Sequence, residues 1–184
     1  ITGYTCGDLF FQPMLQQGAR DALADVLRDT AGLPLLFVLG LPLTHGGKLY
    51  NCAAVCQNGR VLGVVPKTHL PNYNEFYEKR QFTPAPAENG VIDLSGAQVP
   101  FGTNLLFQCG TQPALTLAVE ICEDLWAPLP PSTRHAMAGA TLICNLSASD
   151  ETIGKAEYRR ALVTGQSARL LCGYVYADAG EGES

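Results

Sequence analysis

Three stretches carry side chains able to do chemistry. Cys122 follows the apolar run Leu115-Thr116-Leu117-Ala118-Val119-Glu120-Ile121 and precedes the polar pair Glu123-Asp124. It therefore stands where a buried strand ends, with a short helix expected from about Trp126 onward. Strand ends are where α/β sheets place reactive groups, and a thiolate is a strong nucleophile. Lys67 closes the run Val64-Val65-Pro66. An ammonium there can stabilise a thiolate and later an oxyanion. Parallel alignment of these two strands would bring both ends to one rim. Between them, Tyr73-Asn74-Glu75-Phe76-Tyr77-Glu78-Lys79-Arg80 mixes aromatics with charges, as a binding-loop wall does. Each feature also has a plainer reading: a core thiol, a surface lysine and a solvated loop.

Six other cysteines accompany Cys122: Cys6, Cys52, Cys56, Cys109, Cys144 and Cys172. Their number is odd and most lie inside apolar runs, which suits reduced, buried thiols in a cytoplasmic protein rather than a disulfide framework. Cys52 and Cys56 fall in a segment that reads as a strand. Four strand residues separate side chains by about 13 Å, too far for one metal ion, and His45, His69 and His135 are scattered, so no metal site is expected.

The elements that must position these residues follow from periodicity. Leu15, Ala19, Ala22, Leu23, Val26 and Leu27 recur at helical spacing and predict a helix from about Gln12 to Thr30, stopped by Gly32 and Pro34. Leu35 to Leu41 reads as a buried strand. Asn51–Gln57 and Arg60–Val65 flank Asn58-Gly59, a strong hairpin signal. Pro66 to Pro86 reads as a loop with a helical turn at Asn74–Lys79, and Ala85 to Thr103 as a connection. Strands are expected at Leu105–Cys109, Leu115–Ile121, Thr141–Asn145 and Gly173–Ala177. Helices are expected at Pro131–Ala138 and Lys155–Leu171. The alternation indicates an α/β layered fold in one domain or part of one, with no internal repeat.

The composition of the 184 residues agrees: 47% are hydrophobic and 16% charged, as in a core-forming chain. Lys and Arg total 12 against 17 Asp and Glu, a formal charge of −5, which leaves no basic surplus for nucleic acid. No apolar run reaches the roughly 18 residues of a membrane helix.

In this order, the lysine, the aromatic-acidic loop and the cysteine followed by Glu-Asp resemble the nitrilase, or carbon–nitrogen hydrolase, superfamily. The closer resemblance is to the glutaminase domain of glutamine-dependent NAD synthetases. Five blocks carry it: Ile1–Phe10 with its Asp8-Leu9-Phe10, Pro66–Phe82, Glu120–Trp126, Asn145–Ser149 with Thr152–Lys155, and Tyr174–Ser184.

The resemblance implies a four-layer α-β-β-α sandwich, present here as an incomplete fragment. Residues 1–184 would be an internal portion of one amidohydrolase domain. It implies that Cys122 attacks the side-chain amide of glutamine, that Lys67 belongs to the catalytic triad, and that Glu78 holds Lys67 or orients the amide. Tyr73, Phe76, Glu123, Ser149 and Lys155 match positions lining the glutamine pocket. Ser149 and the Glu123 region would receive the α-ammonium, and Lys155 the α-carboxylate. The triad's general-base Glu is expected upstream of Ile1. No cofactor is implied for the glutaminase step. ATP and Mg²⁺ are implied for a covalently linked synthetase domain, absent from these residues, that amidates nicotinic acid adenine dinucleotide. Homo-oligomers are usual in the superfamily. Two rival readings are another nitrilase-type amidase, which Ser149 and Lys155 argue against, and a non-catalytic module, which an intact Lys67, Glu78 and Cys122 argue against.

Overall fold

The computed structural model describes residues 1–180, so Glu181–Ser184 of the last block lie outside the described residues. The chain divides into two compact units, Ile1–Leu105 and Leu106–Ser184.

In the first unit, the helical spacing near the start becomes α1, Pro13–Thr30. Pro13 occupies the first turn, where its missing N–H costs nothing. Ala19 and Leu23 on its inner face are buried. Strands β1 (Leu36–His45), β2 (Lys48–Gln57) and β3 (Arg60–Pro66) follow as antiparallel neighbours. The strand expected to stop at Leu41 continues through Pro42. A proline removes a ladder donor and is tolerated at a sheet edge, and β1 is the edge of this sheet among the described residues. The Asn58-Gly59 hairpin forms as expected, with φ of 50° and 71°, the left-handed pair a two-residue hairpin loop requires.

A short hairpin, β4 (Asn72–Tyr73) and β5 (Phe76–Tyr77), follows, and then a 3-10 turn at Glu78–Arg80. The helical turn expected at Asn74–Lys79 is therefore corrected. Asn74 adopts φ 49° and reverses the chain, so the turn begins only at Glu78. The stretch read as a connection holds another hairpin, β6 (Gly90–Leu94) and β7 (Ala97–Phe101). Its Pro, Gly and Ala content hides the alternation that buries Ile92 and Val99 around the left-handed Ser95-Gly96 loop. The sheet order is β1-β2-β3-β7-β6. Leu23 of α1 packs with Leu41, Leu43, Tyr50, Cys52, Ala54, Val64, Ile92 and Phe101 in one core. A second cluster joins Phe10, Leu70 and Phe82 and ties the Tyr4–Phe11 turns to the lysine segment.

The second unit begins with β8 (Phe107–Gln108), shorter than expected, and β9 (Thr116–Ile121). Then come α2 (Pro131–Met137), β10 (Leu142–Ser147), α3 (Lys155–Leu170) and β11 (Gly173–Asp178). The sheet order is β11-β10-β9-β8, with β9, β10 and β11 parallel. The two parallel connections are made by α2 and α3, as parallel pairing demands. Ala118, Ile143 and Cys172 form the core with Ala136 of α2 and Leu170 of α3. The strands that precede Lys67 and Cys122 belong to different sheets, so pairing within one sheet does not align them. Each unit is thus a helix-clad sheet of mixed α/β character. Among the described residues, no helix is long and apolar enough to cross a membrane.

Candidate active site

In the first unit, Lys67 is the residue directly after β3. Its backbone extends the pairing with β2: its N–H donates to Asn51 O at 2.8 Å, and its carbonyl accepts from Ala85 N–H at 2.9 Å. The side chain is 1% exposed. Burial of an ammonium demands a partner, and Glu78 supplies it: Lys67 Nζ donates to Glu78 Oε1 at 2.7 Å. The 3-10 turn that follows Tyr77 delivers Glu78, whose N–H donates to Pro71 O at 3.1 Å. Asn51 Nδ2 also reaches Oε1, at 3.4 Å. Glu78 Oε2 is buried with no hydrogen-bond partner among the described residues.

Tyr73 and Phe76 face each other across the β4–β5 pair, with ring centroids 6.0 Å apart at 74°. Tyr4 stands 6.3 Å from the Phe76 ring. Arg80 makes a two-armed contact with Asp8 at 2.7 Å on each oxygen. These hydrogen bonds, with the guanidinium charge, hold the Asp8 carboxyl below its usual range.

In the second unit, Cys122 follows β9 directly with φ 47°. A residue bearing a Cβ is disfavoured there, so the conformation needs support. The Ile121 N–H donates to Asp124 Oδ2 at 3.0 Å, and the Cys122 N–H donates to Asn145 Oδ1 at 3.1 Å. Behind Asn145 lies a buried polar network. Asn145 Nδ2 donates to the Tyr174 oxygen at 3.1 Å, and the Tyr174 hydroxyl donates to Glu120 Oε1. Ser132 N–H donates to Glu120 Oε2 at 2.8 Å, and Gln166 Nε2 to Ser132 Oγ at 2.9 Å. Burial, then the neighbouring Glu120 charge, pushes the Tyr174 phenol upward.

Parallel register and the two-residue period of a strand explain the grouping, with Tyr174 two residues before Tyr176 on the same face of β11. Glu120 is paired with Asn145, and Asn145 with Tyr176. The face of the sheet that is apolar at Ala118 and Ile143 becomes polar two residues later, at the strand ends. Burial is the first cause that raises the Tyr176 phenol. The Ser147 and Ser149 hydroxyls oppose the rise, while the Cys122 and Asp178 charges add to it.

Ser149 follows β10 and is buried. Its N–H donates to Asp178 Oδ1 at 2.8 Å, and its Oγ accepts from Arg159 at 3.2 Å. Arg159 also donates to Asp150 O at 2.9 Å and pairs with Glu151 and Asp178. Lys155, at the start of α3, is ion-paired with Asp150 and stands 5.6 Å from the Trp126 ring centroid. Glu123 lies in the 3-10 turn Cys122–Leu125.

Lys67, Glu78, Tyr73 and Phe76 thus fall in the first unit, and Cys122, Glu123, Ser149 and Lys155 in the second. Sequence reasoning gave no role to Glu120, Asn145, Tyr174 or Arg159. The signal for Glu120 and Asn145 was present: each is a polar residue with apolar neighbours on both sides in its strand, and a buried polar side chain has partners.

The chain has the fold of the carbon–nitrogen hydrolases: a carbon–nitrogen hydrolase from Helicobacter pylori superposes with a TM-score of 0.64 at 20% identity, covering 90% of this chain and 53% of that one. At higher identity the chain is similar to glutamine-dependent NAD(+) synthetases. It is 50% identical to the enzyme of that name from Mycobacterium tuberculosis over 184 residues, the whole of this chain and 27% of that protein. It is 46% identical to the one from Mycobacterium leprae over the same span. The crystal structure of a glutamine-dependent NAD(+) synthetase from Cytophaga hutchinsonii superposes with a TM-score of 0.84 at 34% identity, covering 97% of this chain and 28% of that one. No protein-family profile matches the chain. The chain spans 27% of the length of the first curated relatives it matches.

Proposed function

We propose that this chain is the glutaminase portion of a glutamine-dependent NAD synthetase. The observation that carries the reading is Cys122, set in a left-handed conformation at the end of a parallel strand with its N–H held by Asn145.

In this reading the Cys122 sulfur attacks the side-chain carboxamide carbon of glutamine. The S–C bond forms, and the C–N bond breaks as ammonia leaves with the proton taken from the thiol. Water then cleaves the glutamyl thioester to glutamate and regenerates the thiol. The Lys67 ammonium stabilises the tetrahedral oxyanion, as preorganised donors do. Because Asn145 occupies the Cys122 N–H, that N–H is not the second oxyanion donor. Glu78 holds the ammonium in place.

Tyr73 and Phe76 form an aromatic wall for the substrate, and Ser149, Glu123 and Lys155 bind its α-ammonium and α-carboxylate. Lys155 must then share its charge between Asp150 and the substrate. The general base is a glutamate in the segment preceding Ile1. The ammonia goes to an ATP- and Mg²⁺-dependent amidation in a linked synthetase domain, in a protein that acts as a homo-oligomer.

A thiol-reactive glutamine analogue added to the full-length protein tests this. Modification of Cys122, slowed by free glutamine, is the expected result. Modification that glutamine does not slow contradicts the substrate, and an unmodified Cys122 contradicts the nucleophile.

A further inference from the structure

The hydrogen bonds behind Cys122 run in a fixed direction. Glu120 is fully buried, and both of its oxygens accept, one from Ser132 N–H and one from the Tyr174 hydroxyl. A tyrosine has one proton to give. With that proton on Glu120, the Tyr174 oxygen accepts, and Asn145 Nδ2 is its donor. Asn145 then turns Oδ1 the other way, where it accepts from Cys122 N–H at 3.1 Å and from the Ser147 hydroxyl at 2.9 Å. The two ends of an amide are nearly alike in shape, so donor and acceptor pairing decides which end faces Cys122.

We propose that Glu120 is a positioning residue for Cys122: its carboxylate sets the polarity of the Tyr174–Asn145 relay and so presents an acceptor to the Cys122 N–H. The inference rests on Cys122 being the nucleophile. The relay accounts for the two fully buried polar side chains, Glu120 of β9 and Asn145 of β10, with Tyr174 of β11 between them. Buried networks hold a unique arrangement only when every member is satisfied.

Reversing the polarity tests it. In Glu120→Gln the introduced amide has one acceptor, which Ser132 N–H takes. Its NH₂ then faces the Tyr174 oxygen, Tyr174 must donate to Asn145, and Asn145 must turn its own NH₂ toward Cys122 N–H. Adding Asn145→Asp restores the pattern, because the introduced carboxylate accepts from Tyr174 and from Cys122 N–H together. Asn145→Asp alone leaves two carboxylates competing for one Tyr174 proton.

In the full-length protein, kcat and KM for glutamine hydrolysis are measured beside the rate of Cys122 alkylation by iodoacetamide and the thermal midpoint. Each single variant is expected to lower kcat about tenfold or more, the factor that loss of one buried partner carries, with KM nearly unchanged. The double variant recovers most of that loss. If a single variant fails to fold, recovery of folded protein in the double variant is the expected equivalent. If the wild-type protein does not hydrolyse glutamine, the proposed function fails. The same loss and rescue is then expected in Cys122 alkylation alone. A double variant no better than its parents in turnover, alkylation and stability overturns the relay.

Discussion

The Lys67 ammonium and the Glu78 carboxylate lie 2.7 Å apart with side-chain exposures of 1% and 3%. Eleven residues of mostly irregular chain bring them together, with the turn at Glu78–Arg80 braced from outside by Arg80 on Asp8. A buried pair is held by mutual need rather than by a large net gain.

Removing one partner should therefore cost more than removing both. Glu78→Ala is expected to destabilise the fold by about 3–5 kcal/mol, since it removes the carboxylate that a buried ammonium faces. Lys67→Met combined with Glu78→Leu should recover much of that loss. Denaturant titration of the three proteins checks it. A double variant at least as destabilised as Glu78→Ala would show that the two losses are not coupled.

The thiols should sort by environment. Burial pushes Cys52, Cys144 and Cys172 upward and Cys56 up to about 12. These four are expected to resist alkylation at about pH 8, near the ordinary thiol value. A hydrogen bond from the Thr111 side chain, with backbone contacts from Thr111 and Gln112, lowers Cys109. Cys109 is thus the thiol to compare with Cys122. Peptide mapping after limited alkylation should find these two ahead of the other four. Early labelling of Cys52 or Cys56 would contradict the buried strand pairing.

The Asp8–Arg80 contact sets a pH dependence. Arg80 lowers the folded value of Asp8, so folding favours the ionised carboxyl. The contribution is present above the unfolded value of about 3.9 and is lost as pH falls through the lower folded value. Asp8→Asn should thus lower the thermal midpoint at about pH 7 but leave it unchanged at about pH 2. Both side chains are more than half exposed, so the difference should be small and weakened by salt. An equal effect at both pH values would rule out the ionic contact as its source.

Gly59 tests the hairpin. Its φ is 71°, and a Cβ there would come within 3.0 Å of the Ala31 Cβ. Gly59→Ala is expected to destabilise by at least about 1–2 kcal/mol, the cost of left-handed backbone alone. An unchanged urea midpoint would show that this loop is not held in the observed turn.

Much of this was legible in the sequence. Strong local signals carried α1, the Asn58-Gly59 hairpin, α2, α3 and the parallel strands around Cys122, because apolar periodicity and turn chemistry agree there. Pro42 cut β1 short in the reading, since a sequence does not reveal that its strand lies at an edge. The β6–β7 hairpin was lost because Ser95-Gly96 is a weaker turn signal than Asn-Gly and its strands are short. The resemblance already couples Glu78 to Lys67, but the burial of that pair is not legible, because the β4–β5 hairpin that returns the chain from Lys67 to Glu78 is only two residues long on each side. The Glu120–Tyr174–Asn145 network escaped because register, not sequence spacing, brings three strands' polar residues together.

Under the proposed function, Cys122 does amide cleavage and nothing else. In the full-length protein, Cys122→Ala should abolish NAD synthesis from glutamine while leaving synthesis from free ammonia intact, because the thiol takes no part in the ATP-dependent step. Equal loss of both activities in a folded variant, or glutamine-dependent synthesis that survives the substitution, would contradict it.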